Sequence, residues 1–259
     1  MPDSAIVKPN FLGIGAAKAG TTTMTNMLAQ HPEISFPVKI GKELHFFDYP
    51  EKVTPEGVAD YFTHFEENTA TGEFTPSYLF DTGCRDLIDK VLGRDIRFLV
   101  TLRNPVDRAF SHYCHAVNNW AEEQWQKLNY PIEDLSFEEA IEKEEERLQS
   151  GRYHIRHPSY FSKGLYARQL KWYFEVFPKE NFFIYLLEDY TADPKPILTE
   201  ICRFLGVDDN FEFENLDLKM NAQTNIALSP ETRARLMERY RSSIDELEAI
   251  LGRDLSLWR

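Results

Sequence analysis

The sequence predicts an α/β fold, a parallel sheet flanked by helices on both faces, on three observations. An apolar strand runs into a glycine-rich loop and then a helix within residues 11–31, a second strand passes into a helix at 96–117, and a third apolar strand at 182–187 lies between two helical patterns. Strands that alternate with helices must pair in parallel and be covered on both faces.

The first strand, about residues 10–15, leads into Gly15-Ala16-Ala17-Lys18-Ala19-Gly20-Thr21-Thr22. This satisfies the phosphate-loop spelling G-x-x-x-x-G-K-[ST] at every position except the lysine, where Thr21 stands, and a sheet of P-loop type is expected. Glycines let backbone N–H groups turn inward, and the threonines open a helix whose N-terminus favours an anion. The charge sits instead at Lys18, three residues earlier, which weakens an ATP- or GTP-hydrolysing reading. Taken alone, the loop is equally compatible with a strand-to-helix turn that holds no ligand. Its helix is expected to run until His31-Pro32, because proline disfavours helix at the residue before it.

The second strand, 96–102, passes through Arg103 into Asn104-Pro105, an N-cap followed by proline at the first helical position. Ser136 and Glu139 then spell a capping box for an acidic helix that ends near Gln149, its glutamates expected on a solvated face. The stretch 152–160, basic and aromatic, follows neither the helix nor the strand period and reads as a loop. The third strand follows a helix of about 165–177 and precedes another at 196–205, which stops at Gly206. A last helix starts at Ser229-Pro230, carries one apolar stripe through Leu236, Tyr240, Ile244, Leu247 and Leu251, and stops at Gly252. No internal repeat or linker divides the chain, so residues 1–259 are expected to form a single domain.

The 259 residues are 42% hydrophobic and 14% aromatic, an ordinary globular composition. A formal net charge of −13 argues against nucleic acid and anionic membrane as partners, so an anionic cofactor needs a focused positive site. Cys84, Cys114 and Cys202 are odd in number and scattered, which suggests neither a disulfide framework nor a cysteine zinc site, and fits a cytoplasmic, reducing setting. No signal peptide is apparent, and no apolar run approaches the roughly 20 residues that span a bilayer.

Two further runs carry chemistry. Lys42-Glu43-Leu44-His45-Phe46-Phe47-Asp48 sets acids, a lysine and a histidine among apolar residues, an environment able to shift a carboxylate toward base catalysis; it also reads as an amphipathic edge segment with the two phenylalanines in the core. Arg103 ends a strand where ligands bind in open α/β sheets, and Ser111 lies two turns into the following helix, a pair suited to a second phosphate. The alternative is an ion-paired arginine and an ordinary helix-surface serine. His112 and His115 are one helical turn apart, but nothing completes a metal site around them, and no metal is expected.

With these residues in view the chain resembles the sulfotransferase superfamily that uses 3′-phosphoadenosine 5′-phosphosulfate (PAPS) and releases adenosine 3′,5′-bisphosphate (PAP), and it looks like a bacterial-type member. Lys18, Ala19, Gly20, Thr21, Thr22 and Thr23 are similar to that family's 5′-phosphosulfate loop, and Arg103 with Ser111, in the R-N-P-x-x-R-x-x-S frame, to its 3′-phosphate site. The Lys-Glu-x-His-Phe-Phe-Asp run is most similar to the heparan sulfate sulfotransferases, which implies that Glu43 is the general base, supported by His45 and Asp48, while Lys18 stabilises the leaving phosphate. The likeness covers nearly the whole chain.

Two departures qualify it. Phe74, within Glu73-Phe74-Thr75-Pro76-Ser77-Tyr78, stands where the heparan sulfate enzymes carry a lysine, which argues against a polyanionic sugar acceptor. Residues 219–225 take the place, without the Lys-Gly-Arg spelling, of the family's C-terminal cofactor-binding loop. The acceptor is left as a hydroxyl on a small metabolite, lipid, sugar or carrier-bound polyketide, with Phe74, Arg152, Arg156 and Tyr160 as candidate acceptor contacts and 152–160 as a candidate lid. The competing readings are a P-loop small-molecule kinase and a non-catalytic nucleotide-binding protein.

Overall fold

The computed structural model describes residues 6–37, 43–119, 133–149, 159–216 and 227–259. The chain clusters into two compact units, Met1–Leu102 with Leu170–Met220, and Arg103–Gln169 with Asn221–Arg259.

The first unit holds the sheet: β1 (Phe11–Gly15), β2 (Ile34–Ser35), β3 (Ala70–Phe74), β4 (Arg97–Leu102) and β5 (Phe182–Leu186), in the order β2-β3-β1-β4-β5 with every pairing parallel. The expected α/β class is therefore present. Every residue of β1 and β3 is buried, as a central strand covered on both faces requires. On one face Phe11, Phe74, Leu99 and Tyr185 pack with Met24, Met27 and Leu28 of α1 (Thr21–Leu28) and with Leu198, Ile201 and Leu205 of a later helix, 194–205. On the other, Phe98 lies against Tyr173, Phe177 and Phe182, with ring centroids 5.6, 4.8 and 4.6 Å away.

Two glycines make this packing possible. A Cβ at Gly13 would lie 1.9 Å from the Phe74 ring, so only glycine lets β3 press that ring onto β1. Gly20 adopts φ 82° before α1, a conformation that side chains rarely take.

Among the described residues of this unit, β2, β3, α2 (Pro55–Phe62, capped by Thr54), α3 (Cys84–Leu92) and a short helix at Leu187–Ala192 were not expected. α1 stops at Leu28, one turn before His31-Pro32. β5 passes directly into α8 (Leu187–Ala192), and α9 (Pro194–Leu205) starts two residues earlier than expected because the Asp193 side chain accepts from the Lys195 N–H.

In the second unit Arg103 precedes α4 (Pro105–Asn119), where the Asn104 side chain accepts from the N–H groups of Val106 and Asp107 at 3.0 and 3.3 Å. The expected capping box is formed, but the acidic helix divides at Lys143 into α5 (Phe137–Glu142) and α6 (Glu144–Gln149). The division corrects the solvated-face reading for one residue. Glu144 is buried and accepts from the N–H groups of Phe161 and Ser162 at 2.5 and 2.7 Å. The sequence-predicted last helix is α10 (Pro230–Leu251), its stripe Leu236, Tyr240, Ile244 and Leu247 buried and its Tyr240 stacked on Phe161 at 4.3 Å. Among the described residues a further helix, α7 (Tyr166–Phe174), carries the chain from one unit into the other.

Candidate active site

The glycine-rich loop leaves the C-terminal end of β1, between β3 and β4, and is fixed there by the Ala16 N–H donating to Thr101 O at 2.7 Å. Lys18 and Gly20 both have left-handed backbone, φ 70° and 82°. For lysine that conformation is costly, and such strain persists where surrounding structure imposes it, typically at ligand clamps. Thr21, Thr22 and Thr23 form the first turn of α1, and the helix has neither a side-chain cap nor an acidic residue in that turn. The positive end of the α1 dipole is thus not neutralised by the helix's own residues. The backbone also approaches its neighbours too closely for side chains, since a Cβ at Gly15 would lie 2.7 Å from Leu79 Cβ and one at Gly20 2.7 Å from Leu187 Cδ1. A tight strand-to-helix turn of this kind is compatible with a phosphate group at the start of α1.

The second candidate run lies beside it in the topology, because it packs on the turn that follows the C-terminal end of β3, the strand next to β1. The turn is tied to β1 by the Thr75 N–H donating to Gly13 O at 2.9 Å and the Leu79 N–H to Ile14 O at 2.8 Å. The structure brings Glu43, His45 and Asp48 together. His45 Nε2 is 3.3 Å from Glu43 Oε2, and Nδ1 is 2.8 Å from Asp48 Oδ2. The Asp48 side chain is fully buried and also accepts from the Ser77 hydroxyl at 2.6 Å, whereas Glu43 and His45 keep 36% and 37% of their side-chain surface exposed. Phe46 and Phe47 turn inward, Phe46 stacked on Tyr61 at 4.3 Å, as the amphipathic reading of this segment expects.

His45 also has left-handed backbone, φ 48°. Bonds on each side hold it there: the Leu44 N–H to Glu73 Oε2 and the His45 N–H to Thr75 Oγ1, both at 3.4 Å, the Phe46 N–H to Tyr78 Oη at 2.9 Å, and Lys52 Nζ to His45 O at 3.1 Å. All but the last come from the β3 end. Glu73 is the residue that sequence reasoning missed. It is fully buried and accepts from Thr75 Oγ1 at 2.5 Å, Tyr78 Oη at 2.8 Å and Tyr61 Oη at 3.4 Å as well as from Leu44.

The electrostatics follow from this packing. Burial disfavours the charged imidazole of His45, but the hydrogen bonds to Asp48 and Glu43 and their negative charge outweigh it and raise the pKa from 6.5 to about 9. At neutral pH the ring is therefore a cation held between two carboxylates. Burial pushes Glu73 up from 4.5 to about 7, against the bonds from Thr75, Tyr78 and Leu44 and the charge of His45, which favour its ionised form.

Of the other candidates, Phe74 lies on β3 of the first unit, Arg103, Ser111 and Tyr160 lie in the second, and the rest fall outside the described residues. Arg103 is half-buried, its carbonyl accepting from the Tyr166 hydroxyl at 2.9 Å, and Ser111 is half-buried on α4. Two acceptor contacts are corrected. Phe74 has no exposed surface because its ring packs under β1 against Phe11 and Phe36. Tyr160 is 1% exposed, its hydroxyl donating to Glu133 at 2.8 Å and its ring set against His112 and Tyr113. Arg152 and Arg156, with the rest of the candidate lid up to residue 158, and the 219–225 loop lie outside the described residues. Among the described residues there is no group of three or more His, Cys, Asp or Glu side chains that could hold a metal, and no helix is long and apolar enough to cross a membrane.

Comparison with known proteins gives one family. A sulfotransferase domain model matches residues 8–245. The chain is 25% identical to the membrane-associated sulfotransferase kil1 of Dictyostelium discoideum, over 95% of this chain and 66% of that protein, and 26% identical to heparan sulfate glucosamine 3-O-sulfotransferase 5 of Mus musculus, over 80% and 56%. It thus spans less than two thirds of the length of these relatives. A sulfotransferase crystal structure from Alicyclobacillus acidocaldarius superposes with a TM-score of 0.79 at 33% identity, over 98% of this chain and all of that one. A mouse sulfotransferase complexed with PAP shares the fold, with a TM-score of 0.52 at 14% identity over 95% and 89% of the two chains.

Proposed function

The chain belongs to the sulfotransferase domain family, whose members take a sulfuryl group from PAPS and release PAP, and we propose that it is an O-sulfotransferase in which Glu43 is the general base. The observation that carries this reading is the clamp on His45. An imidazolium bonded to both Glu43 and Asp48 has no free lone pair with which to take a proton, so of the pair that reaches solvent only Glu43 can act as base at neutral pH. His45 then orients Glu43, and buried Asp48, fixed by Ser77, holds His45.

Glu43 accepts the proton of an acceptor hydroxyl as that oxygen attacks sulfur. The sulfur–oxygen bond to the 5′-phosphate breaks and its electron pair stays on the phosphate, where Lys18 and the first N–H groups of α1 stabilise the charge. The uncapped helix start and the crowded glycine turn support the assignment of Lys18, Ala19, Gly20, Thr21, Thr22 and Thr23 to the 5′-phosphosulfate. Arg103 and Ser111 are assigned to the 3′-phosphate by their likeness to the family's motif.

The acceptor is proposed to be a small-molecule or sugar hydroxyl, a carrier-bound one included. The chain is similar to heparan sulfate enzymes, but burial of Phe74 in the core means that β3 offers no side chain there to an acceptor. A cytoplasmic setting is supported by Cys84, Cys114 and Cys202, all three buried and in no disulfide. A thermal-shift comparison tests the cofactor assignment: PAP should stabilise the protein by roughly 2.7 kcal/mol at 100-fold over Kd, and ATP with magnesium by much less. Equal shifts for the two nucleotides would contradict it.

A further inference from the structure

We propose that Glu73 is a positioning residue for sulfuryl transfer: its buried carboxylate gathers the turn after β3 into a platform that holds residues 43–48 in the conformation in which Glu43, His45 and Asp48 meet. The inference rests on the catalytic reading of that segment.

Four donors converge on this one side chain, Thr75 Oγ1 and the Leu44 N–H on Oε2, Tyr78 Oη and Tyr61 Oη on Oε1. An ionised carboxylate offers about four lone-pair sites and no donor, so the set suits the carboxylate and nothing else of that size. Two of the donors pass the constraint on. Thr75 Oγ1, with its hydrogen committed to Glu73, accepts from the His45 N–H; Tyr78 Oη, likewise committed, accepts from the N–H groups of Phe46 at 2.9 Å and Phe47 at 3.4 Å. Four successive backbone N–H groups, 44 to 47, are therefore fixed directly or through one hydroxyl by Glu73. Those four span the left-handed residue His45, whose backbone would relax toward an ordinary conformation without such bonds.

A buried carboxylate kept only for fold stability is hard to rationalise here, because taking it out of water is expensive. Protonation would put an O–H among four donors, and the Leu44 N–H cannot turn to accept it. Among the described residues the groups that face Glu73 are Tyr61 from α2, Thr75 and Tyr78 from the β3 turn, and Leu44 and cationic His45 from the catalytic segment; its partner on β1, Leu12, is apolar. The hold on residue 44 is thus expected to loosen as pH falls through about 7.

The test uses the whole chain and two variants that keep side-chain shape, Glu73→Gln and Tyr78→Phe, the second serving if the first does not fold. Amide hydrogen exchange at residues 44–47, corrected for intrinsic rates, should quicken roughly tenfold or more in both, while α1 amides keep their protection. The NMR titration of the His45 ring should move down from about 9 toward 6.5, and in the parent but not in Glu73→Gln the 44–47 amides should lose protection as pH is lowered through about 7. Folded variants with parent-like exchange and a parent-like His45 titration would overturn the proposal. Calorimetric binding of PAP to the parent is measured alongside. Its absence would count against the sulfotransferase reading of the loop and leave the exchange and titration results to decide the role of Glu73.

Discussion

The imidazole of His45 and the carboxylate of Asp48 are joined by a 2.8 Å contact in which Asp48 is fully buried and His45 partly exposed, with Glu43 3.3 Å away on the other ring nitrogen. The ring is thereby held as a cation, and its raised pKa sets the sign of a pH effect. Below an unfolded value near 6.5 the interaction is fully present, and it is lost as pH rises through about 9. Asp48→Asn should bring the His45 titration down by at least about one unit and lower turnover roughly 10- to 100-fold, with PAP affinity kept. NMR titration and steady-state kinetics check the two halves separately.

Glu73 has the opposite sign from the usual carboxylate. Its folded pKa of about 7 lies above the unfolded value near 4.5, so between those limits the native state binds more protons than the unfolded one and stability falls as pH rises. The contribution lost across that window is on the order of 3 kcal/mol at about 1.4 kcal/mol per pKa unit. Glu73→Gln should flatten the pH dependence of urea midpoints between about 4.5 and 7; a slope that persists in the variant assigns the effect to another group.

Gly20 combines a left-handed φ with contact to Leu187. Gly20→Ala should cost about 1–2 kcal/mol of stability, the penalty of left-handed backbone for a side chain, and should weaken PAP binding by reshaping the first turn of α1. Denaturation and calorimetry on the same preparation read both effects, and unaltered PAP affinity in a destabilised protein would remove the turn from the binding site.

Phe74→Ala should destabilise the protein by roughly 3–5 kcal/mol, as for a large ring removed from a packed core, and leave the KM for an acceptor unchanged in protein that remains folded. A raised acceptor KM with little loss of stability would return Phe74 to the acceptor site.

The strands that carry the loop and Arg103 were legible because each is a continuous apolar run next to a helix signal. β3 was not. Thr71, Gly72 and Glu73 break any apolar pattern, yet all five of its residues are buried, and Gly72 is required because a Cβ there would lie 2.3 Å from Phe11 O. Missing the strand also misplaced Phe74. Neighbours on a strand point to opposite faces, so with Glu73 turned toward the catalytic segment Phe74 is turned into the other side of the sheet. Glu43, His45 and Asp48 could be named from a motif, but the platform beneath them draws on residues 61, 73, 75, 77 and 78, whose convergence depends on how β3 and α2 pack. Glu144 was read as part of a solvated acidic face for a related reason, since its partners, the N–H groups of residues 161 and 162, lie far along the chain.

The most direct measurement is transfer of labelled sulfuryl from PAPS to an acceptor library by the parent and by Glu43→Gln, with PAP affinity measured for both. The parent should label a hydroxyl compound, and the variant should bind PAP with an affinity within about threefold of the parent while transferring on the order of 10²-fold or more slowly, the usual contribution of a positioned general base. A Glu43→Gln protein that transfers sulfuryl at the parent rate would contradict the assignment of the base, and with it the reading of the His45 clamp on which the mechanism stands.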